Sequence, residues 1–225
     1  MLLRMLVALA ALTVMWSAQA QEFGRAQFPI KADDGTPMAN HALTPAQTAA
    51  VARLPGLVDT GGPKADVTLY QFYDLNCPYC RAAAADVDSL LRGDKAVRLV
   101  FVPYPVLSVQ SVEGARVELA VRELISGPQF LEFHRKLYAG RGVIDGARAL
   151  SVSDAMGIDR GKIIEIANQP RITETMKSHA KMGSDLKLVA TPSYVIQGVA
   201  IVGHSGLEPL RKIVAAVRTC KKVAC

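Results

Sequence analysis

The sequence has no repeat period, no low-complexity tract and, beyond its first twenty residues, no run of 18 apolar residues. These absences exclude a repeat array and any membrane-spanning helix after the first twenty residues. An excess of one charge is missing too: 26 Lys and Arg against 20 Asp and Glu leave +6, interleaved along the chain. Weak attraction to anionic surfaces follows from that balance, but no nucleic-acid footprint. Cysteine is scarce, with four in 225 residues. That is too few for a disulfide framework, and a chain of this length does not need one. The four form two close pairs, Cys77/Cys80 and Cys220/Cys225, so at least one pair is available for chemistry.

The N-terminus says where that chemistry takes place. Arg4, the apolar stretch Met5–Trp16 and then Ala18-Gln19-Ala20 follow the order of a secretory signal peptide. An uncleaved anchor is the alternative. Cleavage after Ala20 leaves residues 21–225, enough for one domain with a substantial core. The expected location is the periplasm, an oxidising compartment in which disulfides persist.

Residues 21–65 read as an N-terminal extension. Its first half, with the turn Asp33-Asp34-Gly35-Thr36-Pro37, is polar and lacks periodicity. Thr44 as N-cap, Pro45 at the first helical position and Gln47 closing a capping box predict a helix that ends by Leu54. Its apolar face (Ala46, Ala49, Ala50, Val51, Leu54) must pack on its own domain or join copies into a homo-oligomer. Val67–Tyr73 reads as a strand, with Val67, Leu69 and Gln71 on one face and Thr68, Tyr70 and Phe72 on the other. The helix-forming run after Arg81 and the strand Val97–Val102 complete a βαβ unit over 66–107. Residues 108–187 carry helical patterns only. The first turns Val117, Ala120, Val121 and Leu124 to one face, and the next turns Phe130, Phe133, Leu137 and Tyr138. Strand character returns at Ser193–Ile196 and Val199–Val202 around Gln197-Gly198, and a helix from Leu207 to Arg218 completes 188–219. Residues 220–225 are a tail. This is an α/β scheme interrupted by a helical insertion.

Asn76-Cys77-Pro78-Tyr79-Cys80-Arg81 falls between the first strand and its helix. A C-x-x-C pair can hold zinc, form an inert disulfide or exchange electrons. Zinc needs two more ligands, which Cys220/Cys225 supply only at a loose spacing. Position favours redox chemistry. At the helix N-terminus, unpaired N–H groups and the helix dipole stabilise a thiolate on Cys77. Cys80, one turn inside, is placed to attack a mixed disulfide on Cys77, while Pro78 fixes the geometry. Thr191-Pro192, just before the returning strand, is the second candidate feature.

Two stretches carry a resemblance: Phe72-Tyr73-Asp74-Leu75-Asn76-Cys77-Pro78-Tyr79-Cys80 and Ala190-Thr191-Pro192-Ser193-Tyr194-Val195-Ile196. The chain resembles the DsbA-like family of exported thiol-disulfide oxidoreductases, a thioredoxin fold interrupted by a helical domain. The resemblance implies that Cys77 is the nucleophile and Cys80 the resolving thiol. It further implies that Thr191 and a cis Pro192, with Pro78 and Tyr79, face the substrate. Its partners would be exported cysteine-containing proteins and a membrane protein that resets the site; no cofactor is expected. The chain departs from the prototype oxidant at Tyr79 and Thr191, where it looks more like exported isomerases and reductases of the DsbG and suppressor-of-copper-sensitivity protein C types. It also places Gln71 where many relatives hold a buried acid, leaving water, Asp74 or another group to move the second proton.

Two other readings stay open. Cys77 and Cys80, when reduced, could bind Cu(I) in a copper-handling protein; a dedicated disulfide donor is the other. Cys220 and Cys225 are expected to form a structural disulfide. A continuous helix would hold residues five apart about 8 Å from each other, so the last helix must end near Cys220 for them to join. His134 reads as a packing residue, His179 as solvated between Lys177 and Lys181, and His204 as a loop residue at the end of a strand, with a role near the site as the minor alternative.

Overall fold

The computed structural model describes residues 26–61 and 64–225. The expected signal peptide, its cleavage point and the Gly62-Pro63 break lie outside these residues. Six strands form one mixed sheet: β1 (Asn40–Ala42), β2 (Val58–Asp59), β3 (Val67–Tyr73), β4 (Val97–Pro103), β5 (Ser193–Ile196) and β6 (Val199–Val202). Their order across the sheet is β1-β6-β5-β3-β4-β2.

β3 runs parallel to β4, and α2 (Pro78–Gly93) supplies the crossover that a parallel pair requires. β5 and β6 are antiparallel, joined by Gln197 and Gly198 with φ of 48° and 70°. Two successive positive φ values match the right-handed strand twist, so glycine at the second position is required by the turn.

Alternation along β3 divides the core. Val67, Leu69 and Tyr73 pack with Leu90 of α2 and with Ile213 and Val217 of α8 (Leu207–Cys220) on one face of the sheet. Phe72 faces the other way, against Val102, Tyr104, Leu186 and Val51. Between β4 and β5 lie five helices: α3 (Val109–Val121), α4 (Gly127–Ala139), α5 (Gly146–Ala155), α6 (Arg160–Ala167) and α7 (Pro170–Asp185). α3 is the hub of this insertion, packing on α5, α6 and α7. The stripe expected over Val117–Leu124 is shorter as a helix, because Arg122 caps α3 and Leu124 lies beyond it.

The structure corrects the N-terminal region. Residues before Asp66 contribute two strands that their composition did not suggest, one at each edge of the sheet. β1 pairs with β6 and β2 with β4. These strands are three and two residues long, too short to show an alternation pattern. Their pairing is a tertiary event. α1 (Pro45–Ala52) starts on the expected Thr44–Gln47 capping box, and its one fully buried residue is Val51. Val51 packs onto the protein's own sheet, beside Phe72 and Val195.

His179 is also corrected: it is fully buried instead of solvated. Along α7 the buried positions are Ile172, Thr175, Met176, His179 and Gly183, the stripe of a 3.6-residue helix. Lys177 and Lys181, two positions away on either side, fall on the outer face and say nothing about His179. Its Nδ1 lies 2.8 Å from the Pro103 oxygen and its Nε2 2.7 Å from the Pro55 oxygen. The ring thus joins the end of β4 to the segment after α1.

Candidate active site

β3 ends at Tyr73, and the chain turns through Asp74-Leu75-Asn76 into α2. The Cys77 N–H donates to the Asp74 oxygen (3.1 Å), and the Cys77 oxygen accepts from the Arg81 N–H (3.1 Å), making Cys77 the N-cap. Pro78 occupies the first helical position, where its lack of an N–H costs nothing. No side-chain oxygen caps this helix. The Cys77 sulfur sits instead where such a cap would be, facing the free amides of the first turn.

Thr191 faces it across the sheet. The Thr191-Pro192 bond is cis, and the Cys77 thiol donates to the Thr191 carbonyl oxygen over 3.0 Å. Cys77, Cys80, Thr191 and Pro192 are therefore brought together, with Pro78 between the cysteines. Tyr79 turns outward and is 72% exposed. Cys220 and Cys225 lie apart from this site, bonded to each other with Cα atoms 6.2 Å apart. α8 ends at Cys220, and Lys221 in the left-handed region (φ 60°) turns the tail back.

The two site thiols are chemically unlike. Cys77 is pulled down from the ordinary 9.0 to about 5, first by the Cys80 thiol that donates to it. The Thr191 side chain and the Cys80 and Tyr79 amides add to this, while burial opposes it. Cys80 moves the other way, pushed up by burial and then by its thiol being engaged with Cys77. The pair thus combines an acidic Cys77 with a Cys80 whose thiol is held protonated. Cys77 is only 5% exposed and Cys80 1%. The Thr191 carbonyl of the cis-proline loop lies directly against the Cys77 sulfur.

The first turn is held by residues whose role the motif did not announce. Buried Asp74 accepts four hydrogen bonds: from Asn76 N (2.8 Å) and Ser111 Oγ (2.6 Å) on Oδ1, and from Val106 N (2.8 Å) and Leu107 N (3.0 Å) on Oδ2. Asn76 closes a reciprocal pair with Ile144, accepting from its N–H (2.7 Å) and donating to its carbonyl (2.9 Å). Arg81 donates to the carbonyls of Tyr138 (2.7 Å) and Gly140 (2.6 Å) and lies over the Tyr138 ring. The site is thereby fastened to the helical insertion. Asp74, one of the three routes left open for the second proton, has both oxygens filled and anchors the turn. One signal was available: a short polar Asp-x-Asn turn ahead of a helix commonly ties local backbone.

His204 approaches from the end of β6, its Nδ1 2.8 Å from the Tyr194 hydroxyl and its Nε2 3.0 Å from Asp86 Oδ2. His134 is buried as expected, yet it is more than packing, because its Nδ1 lies 3.1 Å from Glu118 Oε1. The described residues contain no group of three or more His, Cys, Asp or Glu side chains arranged to hold a metal ion.

Comparison with known proteins agrees with this geometry. A family model described as thioredoxin matches residues 54–216. A thioredoxin-like oxidoreductase from Silicibacter pomeroyi DSS-3 is similar at 29% identity and a TM-score of 0.69, covering 76% of this chain and 97% of that one. Two further structures share the fold. The thiol-disulfide exchange protein alpha-DsbA2 of Wolbachia pipientis has 21% identity, a TM-score of 0.66, and coverage of 77% and 98%. The catalytic domain of Proteus mirabilis ScsC has 20% identity, a TM-score of 0.66, and coverage of 76% and 93%. A curated relative, the Na(+)/H(+) antiporter NhaA 1 of Salinispora arenicola (strain CNS-205), is 28% identical over 161 residues. The match takes in 69% of this chain, which spans about a quarter (24%) of that protein's length. No helix among the described residues is long and apolar enough to cross a membrane. With the matched region spanning most of the chain and the paired cysteines at the start of α2, the protein belongs to the thioredoxin family and has the DsbA-like form of its fold.

Proposed function

We propose that this chain is a periplasmic thiol-disulfide oxidoreductase that exchanges disulfides with exported, cysteine-containing proteins through Cys77 and Cys80. The observation that carries this reading is the opposed state of the two thiols, an acidic Cys77 at a helix N-terminus over a buried, protonated Cys80. The Cys77 thiolate attacks a substrate disulfide, expels one substrate thiolate and leaves a mixed disulfide. Cys80 then attacks the Cys77 sulfur, giving up its proton, and the second substrate thiol departs as the Cys77–Cys80 disulfide forms. In reverse the site donates a disulfide, and a membrane redox partner would reset it.

The surroundings favour an extended, partly unfolded client. Tyr79, Val106, Leu107, Val143 and Val189 are large apolar side chains left exposed. Their segments are those tied to the site through Asp74, Asn76 and the cis-proline loop. Apolar side chains around a reactive sulfur suit polypeptide that has not yet buried its own.

An acidity of about 5 for Cys77 lies between the roughly 7 of thioredoxin and the roughly 3.5 of a dedicated oxidant. Stabilising the thiolate stabilises the reduced form and raises the potential of the pair, while the resemblance at Tyr79 and Thr191 is what favours reshuffling and reduction over pure donation. The reduction potential against glutathione, with refolding of a scrambled substrate, tests this. A potential as oxidising as about −120 mV, with no isomerisation, would assign the chain to disulfide donation. Cu(I) binding through both sulfurs requires Cys80 to lose its proton as well, which its burial opposes; Cu(I) titration of the reduced protein measures that alternative directly.

A further inference from the structure

Positive charge collects beside the cysteines. Arg81 follows Cys77 by one helical turn, its N–H donating to the Cys77 carbonyl oxygen (3.1 Å). Its guanidinium reaches the end of α4 and the loop that follows. There it donates to the carbonyl oxygens of Tyr138 (2.7 Å), Gly140 (2.6 Å) and Gly142 (3.1 Å). Arg148 of α5 is bound to the same segment, donating to the carbonyl oxygens of Leu137 (2.5 Å), Arg141 (2.6 Å) and Gly142 (3.5 Å). Two guanidinium groups therefore share the Gly142 oxygen. Arg141 lies in this loop too, and its side chain is exposed and has no partner among the described residues.

Like charges gathered this closely repel, and the fold offsets them only in part. The end of α4 is the negative pole of a helix, about half a unit of charge, against three cations. Asp145 caps α5 by accepting from the Arg148 N–H (2.8 Å), and it makes no ion pair with the guanidinium. Arg148 is held below the usual arginine range, first by burial and then by Arg81, with Asp145 opposing. Elsewhere on the surface, arginines meet carboxylates: Arg160 meets Asp154, Arg171 meets Glu123, and Arg218 meets Asp66 and Asp94. Among the described residues, Arg81, Arg141 and Arg148 have no ion pair. Their loop is fastened to the active-site turn through Ile144, whose N–H and carbonyl pair with the Asn76 side chain.

We infer that this arginine cluster binds the acidic side chains of a client polypeptide and directs the site to cysteines flanked by Asp or Glu. This inference rests on the oxidoreductase reading above and names the class of client. Arg81 and Arg148 spend their N–H groups on carbonyls and act as fixed charge. Arg141 keeps its donors free, in the planar fork that pairs with a carboxylate through two hydrogen bonds. Tyr79 and Val143, each two residues from one of these arginines, are exposed apolar side chains. The patch thus offers an apolar contact beside the charge, which a polypeptide fills and a small acidic thiol does not. Charge complementarity of this kind raises the rate of encounter more than the affinity.

The reduced mature protein is mixed with peptides whose cysteine carries a neutral thiopyridine in disulfide linkage. Attack by Cys77 on the peptide sulfur breaks that bond, joins the peptide to Cys77 and expels thiopyridine, whose absorbance gives the rate. Three peptides differ only at the positions two and three residues from the cysteine, which are Glu, Gln or Lys. At about 10 mM salt, where charges act over about 30 Å, the Glu peptide should react about 10-fold faster than the Gln peptide, the lower end for electrostatic steering. The Lys peptide should be the slowest. At about 1 M salt, with a reach of about 3 Å, the three rates should converge. Arg141→Glu, at an exposed position with no partner to lose, should bring the Glu-to-Gln ratio at low salt to about one or below. Glutathione linked to the same thiopyridine should lose less in that variant than the Glu peptide loses. Equal rates for the Glu and Lys peptides at low salt overturn the proposal, as does a Glu preference that Arg141→Glu leaves unchanged. A glutathione rate that falls as far as the Glu peptide's overturns the polypeptide assignment in favour of a small acidic thiol. No thiopyridine release from any of the four would sink the oxidoreductase reading itself, and the proposal with it.

Discussion

The Cys77 sulfur lies 3.0 Å from the carbonyl oxygen of Thr191, a residue 114 positions further along the chain. Two loops at the ends of strands β3 and β5 meet there, and the paired strands hold them in register.

Acidity of Cys77 is the first consequence to check. Alkylation of the reduced protein against pH should give a midpoint near 5 for Cys77, with no second midpoint from Cys80 below pH 9. A folded pKa depressed below the unfolded one adds stability that is fully present above about 9 and lost as pH falls through about 5. The reduced form should therefore gain on the oxidised form in thermal melts taken from pH 5 to pH 8.5. Equal melting shifts across that range would contradict the thiolate assignment.

Thr191→Val should move the reduction potential without unfolding the protein. The Thr191 side chain favours the ionised form of Cys77, while the backbone carbonyl, which accepts from Cys77 only when it is protonated, survives the substitution. Removing that support raises the Cys77 pKa and makes the pair more reducing. A glutathione equilibrium indistinguishable from the parent's would remove the Thr191 side chain from the site.

His179 should make the oxidised protein sensitive to acid. Burial pushes this imidazole below the usual 6.5, and the Pro55 and Pro103 carbonyls oppose that only in part. A depressed histidine binds its proton later in the folded state, so stability is full above about 6.5 and declines as pH falls below it. Urea midpoints of the oxidised protein at pH 7.5 and 5.5 measure the decline, and His179→Gln should flatten it. The variant should also lose about 1–3 kcal/mol at neutral pH, because a buried carbonyl is left unpaired.

Val51→Ala should cost about 2 kcal/mol, from two buried methyl groups and the cavity they leave. The mature protein should scatter light as a monomer, since Val51, the one fully buried residue of α1, packs on the protein's own sheet with Leu54 beside it. Deleting residues 26–60 should unfold the chain instead of altering its assembly, because both edge strands and Val51 go with it. A folded, soluble truncation would show that the edge strands are dispensable.

The bond between Cys220 and Cys225 should take no part in turnover. Replacing both by Ala should leave insulin reduction unchanged and cost at most about 2 kcal/mol, the scale for so short a loop. Loss of activity in that double variant would give the tail a redox role.

Much of the site could be read directly from the residues, because it depends on local chemistry. A strand, two cysteines around Pro78 and a helix start place a thiolate at a helix N-terminus whatever surrounds them. The capping box at Thr44–Gln47 and the Gln197-Gly198 turn are local in the same sense, and strands β3, β5 and β6 follow from their patterns. Tertiary structure decided what depends on distant partners. β1 and β2 are strands only because β6 and β4 offer unpaired edges. His179 is buried by its place on a helical stripe, against the charge of its neighbours. Asp74 became an anchor, and Glu118 a buried acid beside Tyr73 and His134, because α3 and α4 fold back over the start of α2. Hydrogen bonds between residues 16 to 45 positions apart leave no periodicity in the sequence, and burial turns such a polar group from a surface detail into an energetic commitment.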